Sequence, residues 1–446
     1  MRFSGKRFAS SSTLTLGLVV VVLAAAGILS SAEDGAVSMI SPGSEAGKHW
    51  PRWRGPSGQG LVEGSGYPDT WTDQENILWK VDLPGAGNSS PIIWGDRIFL
   101  TTAYDNGERR SLLCLRPSDG RLLWETFAPQ TSPESTNRKN GYASGTPSTD
   151  GERVYAYLGN HGLWSVDFNG KQVWHRGLGE LNAYHGTACS PLLYRDSVII
   201  YQDQRSPAHS FLAAFEKNTG KTLWWAGREE RVGWGSPVAI RAGDRDEIIV
   251  SSQSKVYSYD PKTGKEFWTC GGNLYEVTPT PVAGLGLLFC SSGRAGPTLA
   301  IRPGGSGDVT GARIAWQTAK GSPFIPSPLL YGDYLYLVND MASVASCYEA
   351  RTGKLMWQGR LGEAQRESFS ASPVGVDGKV FITNDAGETF VLKAGPEFQL
   401  LRVNRLNART LASPALVDGR WYFRTDRHLV SIGRPPWPGV ARQAGQ

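Results

Sequence analysis

Methionine occurs only four times and cysteine five times in the 446 residues, and several larger absences narrow what the chain can do. The cysteines (114, 189, 270, 290 and 347) are odd in number and widely spaced, with no CxxC pair. Neither a zinc site nor a disulfide scaffold is signalled, and most of them read as buried small hydrophobes. An oxidising compartment would permit one disulfide, between partners that spacing does not identify. Six histidines, at 49, 161, 175, 185, 209 and 428, show no metal-ligand spacing. Gly304-Gly305-Ser306-Gly307 lacks the Lys-Ser/Thr of a phosphate-binding loop. No Gly-x-Ser-x-Gly elbow or His-Glu-x-x-His pair occurs. Lysine and arginine are interspersed with acids rather than blocked, which argues against a nucleic-acid partner. Long amphipathic helices are also missing. Abundant Gly (54) and Trp (16) among short β-branched and aromatic runs point to an all-β fold.

The first segment stands apart. Arg2, Lys6 and Arg7 precede an apolar stretch over 14–29, followed by Ser30-Ser31-Ala32 and then Glu33-Asp34. This order of basic, apolar and small residues predicts a secretory signal over 1–32. The apolar run falls short of the roughly 20 residues of a membrane span. An uncleaved anchor is the alternative, and it or a partner would be the only route to a membrane. No cysteine follows the run for lipid attachment. The chain is expected to be exported to the periplasm or cell envelope. Removing the segment lowers the formal charge from +5 to +2, so the pI of 8.8 overstates the basicity of the folded part.

By length alone the remainder suggests two or three domains, but a repeat overrides that count. A small residue followed by proline recurs at Ser90-Pro91, Thr146-Pro147, Ser190-Pro191, Ser236-Pro237, Thr280-Pro281, Ser327-Pro328, Ser372-Pro373 and Ser413-Pro414. After the first interval the spacing is 41 to 47 residues. Each proline opens an apolar run, a turn and a second strand, as in PLLYGDYLYLV at 328–338, which reads as a hairpin. A second signature follows: SDGRLLW at 118–124, FNGKQVW at 168–174, NTGKTLW at 218–224, KTGKEFW at 262–268, VTGARIAW at 309–316 and RTGKLMW at 351–357. Here the Gly makes a tight turn between the third and fourth strands, and the Trp fills the seam to a neighbouring blade. Four strands per repeat describe an eight-bladed β-propeller.

The eighth repeat stops before a Trp-bearing strand, whereas NILWKV at 76–81 precedes the first Ser-Pro. The N-terminal strand is therefore expected to complete the last blade, which removes an open edge. The propeller is assigned to 76–432, a leader to 33–75 and a tail to 433–446. Blade 7 has FQLL at 398–401 in place of the Trp, which predicts a looser seam. The polar insertion TSPESTNRKN at 131–140 predicts an extended surface loop.

The Ser-Pro, hairpin and Thr-Gly-Lys-x-x-Trp pattern resembles the pyrroloquinoline-quinone (PQQ) repeat. The leader's WPRWRGP at 50–56, followed by Gly58-Gln59-Gly60, resembles that of exported BamB-like propellers of planctomycete-type bacteria, which are without demonstrated activity. The resemblance implies either a non-catalytic envelope scaffold binding a protein, peptide or other ligand, or a quinoprotein dehydrogenase. The second branch resembles longer chains with adjacent cysteines against the quinone and a calcium held by oxygens. This chain has no adjacent cysteines, no Asp/Asn-rich calcium loop and no Asp that matches the catalytic base. The scaffold reading is preferred: no catalytic residue, no metal ligand and no cofactor are expected, with PQQ and calcium, or a structural or glycan-binding role, as alternatives. A ligand would bind where loops 85–88, 137–144, 181–187, 228–234, 273–277, 321–325, 364–369 and 404–411 converge. The candidates there are Asn88, Arg138, Tyr142, His185, Trp234, Tyr275, Phe324, Arg366 and Arg409, with Tyr184 beside them. The competing reading is that these side chains only plug the mouth.

Overall fold

A computed structural model describes residues 36–434, except 42, 44, 295, 320 and 367. The expected signal over 1–32 and all but the first two residues of the tail lie outside the described residues. Eight four-stranded antiparallel units surround a channel. Blade 1 comprises Ile92–Trp94, Arg97–Tyr104, Arg109–Leu115 and Leu122–Phe127. Blades 2 to 7 follow at 148–176, 192–227, 238–271, 282–317, 329–360 and 374–405. Blade 8 takes three strands from 415–432 and its outer strand from Ile77–Asp82, which pairs with His428–Ile432. The closure expected from the two ragged ends is what the chain does.

The two repeated signatures have separate physical jobs. At the inner rim, seven of the eight Ser or Thr hydroxyls before proline, from Thr146 to Ser413, accept the backbone N–H of the counterpart one blade earlier. The series Ser90→Thr146→Ser190→Ser236→Thr280→Ser327→Ser372→Ser413 runs at 2.8–3.0 Å. The proline takes the next position, where it begins the inner strand. Between blades 8 and 1, Arg424 reaches Ser89 Oγ at 2.6 Å and the Thr101 carbonyl at 2.7 Å.

At the outer rim, the indole N–H of Trp79, Trp124, Trp174, Trp224, Trp316 and Trp357 donates to a turn carbonyl of the next blade at 2.7–3.1 Å. The ring lies where a side chain at the turn glycine would be. A Cβ on Gly120 (φ +73°) would fall 2.8 Å from Trp79. Gly170, Gly220, Gly264 and Gly353 are approached in the same way by the Trp before them. The glycine thus serves both the left-handed turn and the seam.

Blade 5 departs from this pattern. VTGARIAW does not make the tight turn; Thr310–Arg313 is a helical turn, and Gly307–Asp308 pairs in parallel with the outer strand of blade 4. Trp268 is therefore covered and donates to Glu247 at 2.8 Å within its own blade.

The looser seam expected at blade 7 is corrected. Trp71 from the leader enters it, 1% exposed, stacked 6.3 Å from Phe381 and tilted against Trp421 at 5.5 Å. The Trp421 indole donates to the Pro68 carbonyl at 3.0 Å. A distant aromatic replaces the missing local one.

The rest of the leader closes one end of the channel. The inner strands leave backbone N–H and C=O groups facing the axis, and buried groups of this kind need partners. Val37–Met39 pairs with the inner strand of blade 4. Trp50 exchanges backbone bonds with Ile93 in blade 1, and the Pro51 carbonyl accepts Thr149 N–H in blade 2. Gln59 Oε1 accepts Ala283 N–H in blade 5 at 3.0 Å, and Arg54 donates to the Pro328 carbonyl in blade 6 at 2.7 Å. Gly60 and Val62 bracket Gly375 in blade 7. The WPRWRGPSGQG segment is a plug bonded to the surrounding blades. Arg54 is fully buried without a carboxylate partner among the described residues, and burial pushes its pKa down to about 9.

Among the described residues no helix is long and apolar enough to cross a membrane. All five cysteines are free and buried, and burial pushes the Cys114 and Cys189 thiols up to about 12.

Candidate functional site

At the end opposite the plug, the loops entering the inner strands surround a cavity of about 210 Å³. A narrower throat of about 110 Å³ continues below it, walled by the Ser/Thr ring and floored by Trp53. The channel is therefore a dead-ended cup.

Its cover is the insertion of blade 1, a surface loop over 131–140 in which only Glu134 is buried. Glu134 is buried and grips buried Arg110 through two hydrogen bonds of 3.0 and 2.7 Å. Asn140 donates to the carbonyls of His185 at 2.7 Å and Thr187 at 3.2 Å, and accepts from the Asn88 amide. Lys139 pairs with Asp385 of blade 7 and lies 3.4 Å from Ser370 Oγ. These bonds lay the insertion across the mouth.

Four of the sequence candidates meet there: Asn88, His185, Trp234 and Phe324. His185 stacks on Trp234 with centroids 5.8 Å apart and planes 25° apart. The Trp234 indole is held by the Gly186 carbonyl at 3.1 Å, and its backbone N–H by Val277 at 3.0 Å. Burial lowers the His185 pKa, with Arg294 and Arg205 acting in the same direction and Glu276 opposing them. The imidazole is thus held neutral at pH 7. Phe324 lies beneath the Arg294 guanidinium at 4.6 Å, and Arg294 pairs with Glu276 at 3.2 Å.

The other candidates are dispersed. Tyr275, 58% exposed, stands in a neighbouring cleft of about 380 Å³ with Tyr184, Arg205 and Arg231. Trp234 and Glu276 line both spaces, so cup and cleft adjoin. Tyr142 turns away, under Arg110 at 5.2 Å, into the room that Gly107 leaves. Arg138 is exposed, and its carbonyl accepts from Arg409 at 3.3 Å on the rim of blade 8. Arg366 is exposed and lines neither space.

Lys139, Asn140, Glu276, Arg294 and Asp385 were not singled out from sequence. Arg205, Arg294 and Asp385 lie on loops between second and third strands, a set that carries no repeated marker. Asp340, on the same set, is buried behind the cup wall and accepts Phe324 N–H at 2.8 Å. Its other oxygen has no partner among the described residues, and burial raises its pKa to about 7.

The dehydrogenase branch would need a calcium site and a pair of adjacent cysteines beside the mouth. The carboxylates of Glu276 and Asp385 are engaged by Arg294 and Lys139. Among the described residues no group of three or more His, Cys, Asp or Glu is placed to hold a metal ion. The five cysteines are single, so none forms an adjacent pair.

Comparison with known structures places the architecture. BamB from Moraxella catarrhalis superposes with a TM-score of 0.56 at 13% identity, covering 80% of this chain and 99% of that one. A quinohemoprotein alcohol dehydrogenase from Comamonas testosteroni gives 0.64 at 11% identity, covering 89% and 82%. One from Pseudomonas putida gives 0.63 at 12% identity, covering 90% and 83%. At such identities the likeness is one of fold and is shared by binding proteins and enzymes alike. A comparison with curated proteins finds no match. The family model of the outer membrane protein assembly factor BamB, however, matches residues 70–209, 108–345 and 340–433, and the chain belongs to that family.

Proposed function

We propose that this protein is a non-catalytic binding propeller of the cell envelope that takes its partner or ligand at the covered mouth. The observation that carries the reading is the asymmetry of the channel. One end is sealed by backbone bonds from the leader, whereas the other is a cup with an aromatic pair, amides and a side cleft. Binding sites favour such concave, largely preformed spaces with a few fixed polar groups. The non-catalytic part rests on chemistry: the mouth carboxylates are held in ion pairs and His185 has an aromatic neighbour rather than a nucleophile. Family membership supports a protein partner, since the matched family is named for outer membrane protein assembly.

Photo-crosslinking in cells tests which face binds. A benzoylphenylalanine at Tyr275, 58% exposed on the mouth side, is compared with one at Leu223, 51% exposed on the outer wall. Adducts are expected from position 275 and not from 223. The reverse pattern would move the binding face to the outer strands and overturn the reading.

A further inference from the structure

The ligand class can be taken further, on the reading that the mouth is the binding face. The cup and its side cleft adjoin at Trp234 and Glu276, and together this groove combines exposed aromatic faces with uncompensated positive charge. Tyr184 and Tyr275 are 46% and 58% exposed in the cleft, far more than aromatic side chains of a packed rim need be. They lead to the His185–Trp234 pair, and that pair leads to Phe324 inside the cup. Three supports hold these faces in place: Arg205 lies 4.4 Å from the Tyr184 ring, Arg294 lies 4.6 Å from Phe324, and Gly186 holds the Trp234 indole. Inside the cup the charges cancel, because Arg294 faces Glu276 and Lys139 faces Asp385. In the cleft they do not. Arg205 and Arg231 line it without a carboxylate partner among the described residues, and its one acid, Glu276, is already paired with Arg294.

We infer that this groove binds an acidic oligosaccharide, with sugar rings on the aromatic faces from Tyr275 to Phe324 and carboxylate or sulfate groups against Arg205 and Arg231. Aromatic rings pair an apolar face with polar edges, which suits the alternating C–H faces and hydroxyls of a pyranose. The amide of Gln253 in the cleft supplies a donor and an acceptor beside the rings. Guanidinium groups suit planar or tetrahedral oxyanions. An extended peptide fits less well. The cleft is lined by loop residues outside any strand, so it offers no free strand edge along which a peptide backbone could pair.

Calorimetric titration of residues 33–446 with four probes tests this: tetragalacturonate, a sulfated heparin tetrasaccharide, uncharged cellotetraose and tetraglutamate. At least one acidic sugar is expected to bind ten times more tightly than cellotetraose and tetraglutamate, and to weaken with added salt. An Arg205→Ser/Arg231→Ser variant should lose that preference, and Tyr275→Ala should weaken the acidic sugar about tenfold. Both changes are at the surface, and an unchanged melting temperature confirms folding. Tetraglutamate binding as well as the acidic sugars would assign the groove to acidic peptides and overturn the inference. Equal binding of cellotetraose would remove the role of the arginines and overturn it too, as would binding of neither acidic sugar. In the last case crosslinking from position 275 still decides independently whether the mouth is the binding face.

Discussion

Asp340→Asn should stabilise the protein at neutral pH, and the gain should grow as pH rises. The Asp340 carboxyl is fully buried and accepts the Phe324 N–H, while its second oxygen has no partner among the described residues. Burial lifts its pKa from 3.8 to about 7, opposed only in part by the backbone N–H groups of Phe324, Asp340 and Ile325 and, least, by the charge of Lys139. In the unfolded chain the group titrates near 4. Between about pH 4 and pH 7 the folded state therefore holds a proton that the unfolded state has released. Folding stability falls as pH rises through this window and is level outside it. A shift of roughly three units corresponds to about 4 kcal/mol at pH 8, as an upper bound. Asparagine keeps an acceptor for Phe324 but forms a weaker, uncharged bond, so a net gain of about 1–3 kcal/mol is expected. Urea unfolding followed by tryptophan fluorescence at pH 5 and pH 8 measures it. The variant's advantage should be larger at pH 8 than at pH 5. A difference that does not change with pH, or a variant less stable at pH 8, would refute the reasoning.

Other parts of the account give separate outcomes. Trp124→Ala removes a half-buried ring and its bond to the Phe168 carbonyl, and should cost about 3 kcal/mol or more in urea unfolding. Gln59→Ala leaves the Ala283 N–H without its acceptor inside the plug and should cost about 1–3 kcal/mol by the same assay. Lys139→Met breaks the tie between the cover and blade 7; hydrogen exchange should quicken over 135–143 and stay unchanged over 97–115.

Much of the fold was legible because it repeats. Ser/Thr-Pro marks the inner ring, and Gly-x-x-x-Trp marks the seam, since each residue has the same neighbour in most blades. Closure was legible because a stray Trp strand stood before the first repeat and was missing from the last. The leader was not legible: Gln59 and Trp71 act on residues more than two hundred positions away, and no local pattern records that. The cup was half legible. Loops entering the inner strands are marked by the Ser/Thr-Pro that follows them, so Asn88, His185, Trp234 and Phe324 could be found. Loops between second and third strands have no such marker, and Arg205, Arg294 and Asp385 went unseen. Tyr142 was misplaced because Gly107 opens room behind it that sequence does not reveal.

The most direct test of a binding rather than a redox propeller is titration of residues 33–446 with PQQ and calcium, followed by dye-linked oxidation of alcohols and sugars. The account predicts no dye reduction above a no-protein control, and no PQQ binding that depends on calcium. Tight calcium-dependent binding accompanied by dye reduction would contradict it and make the cup beneath residues 131–143 an active site.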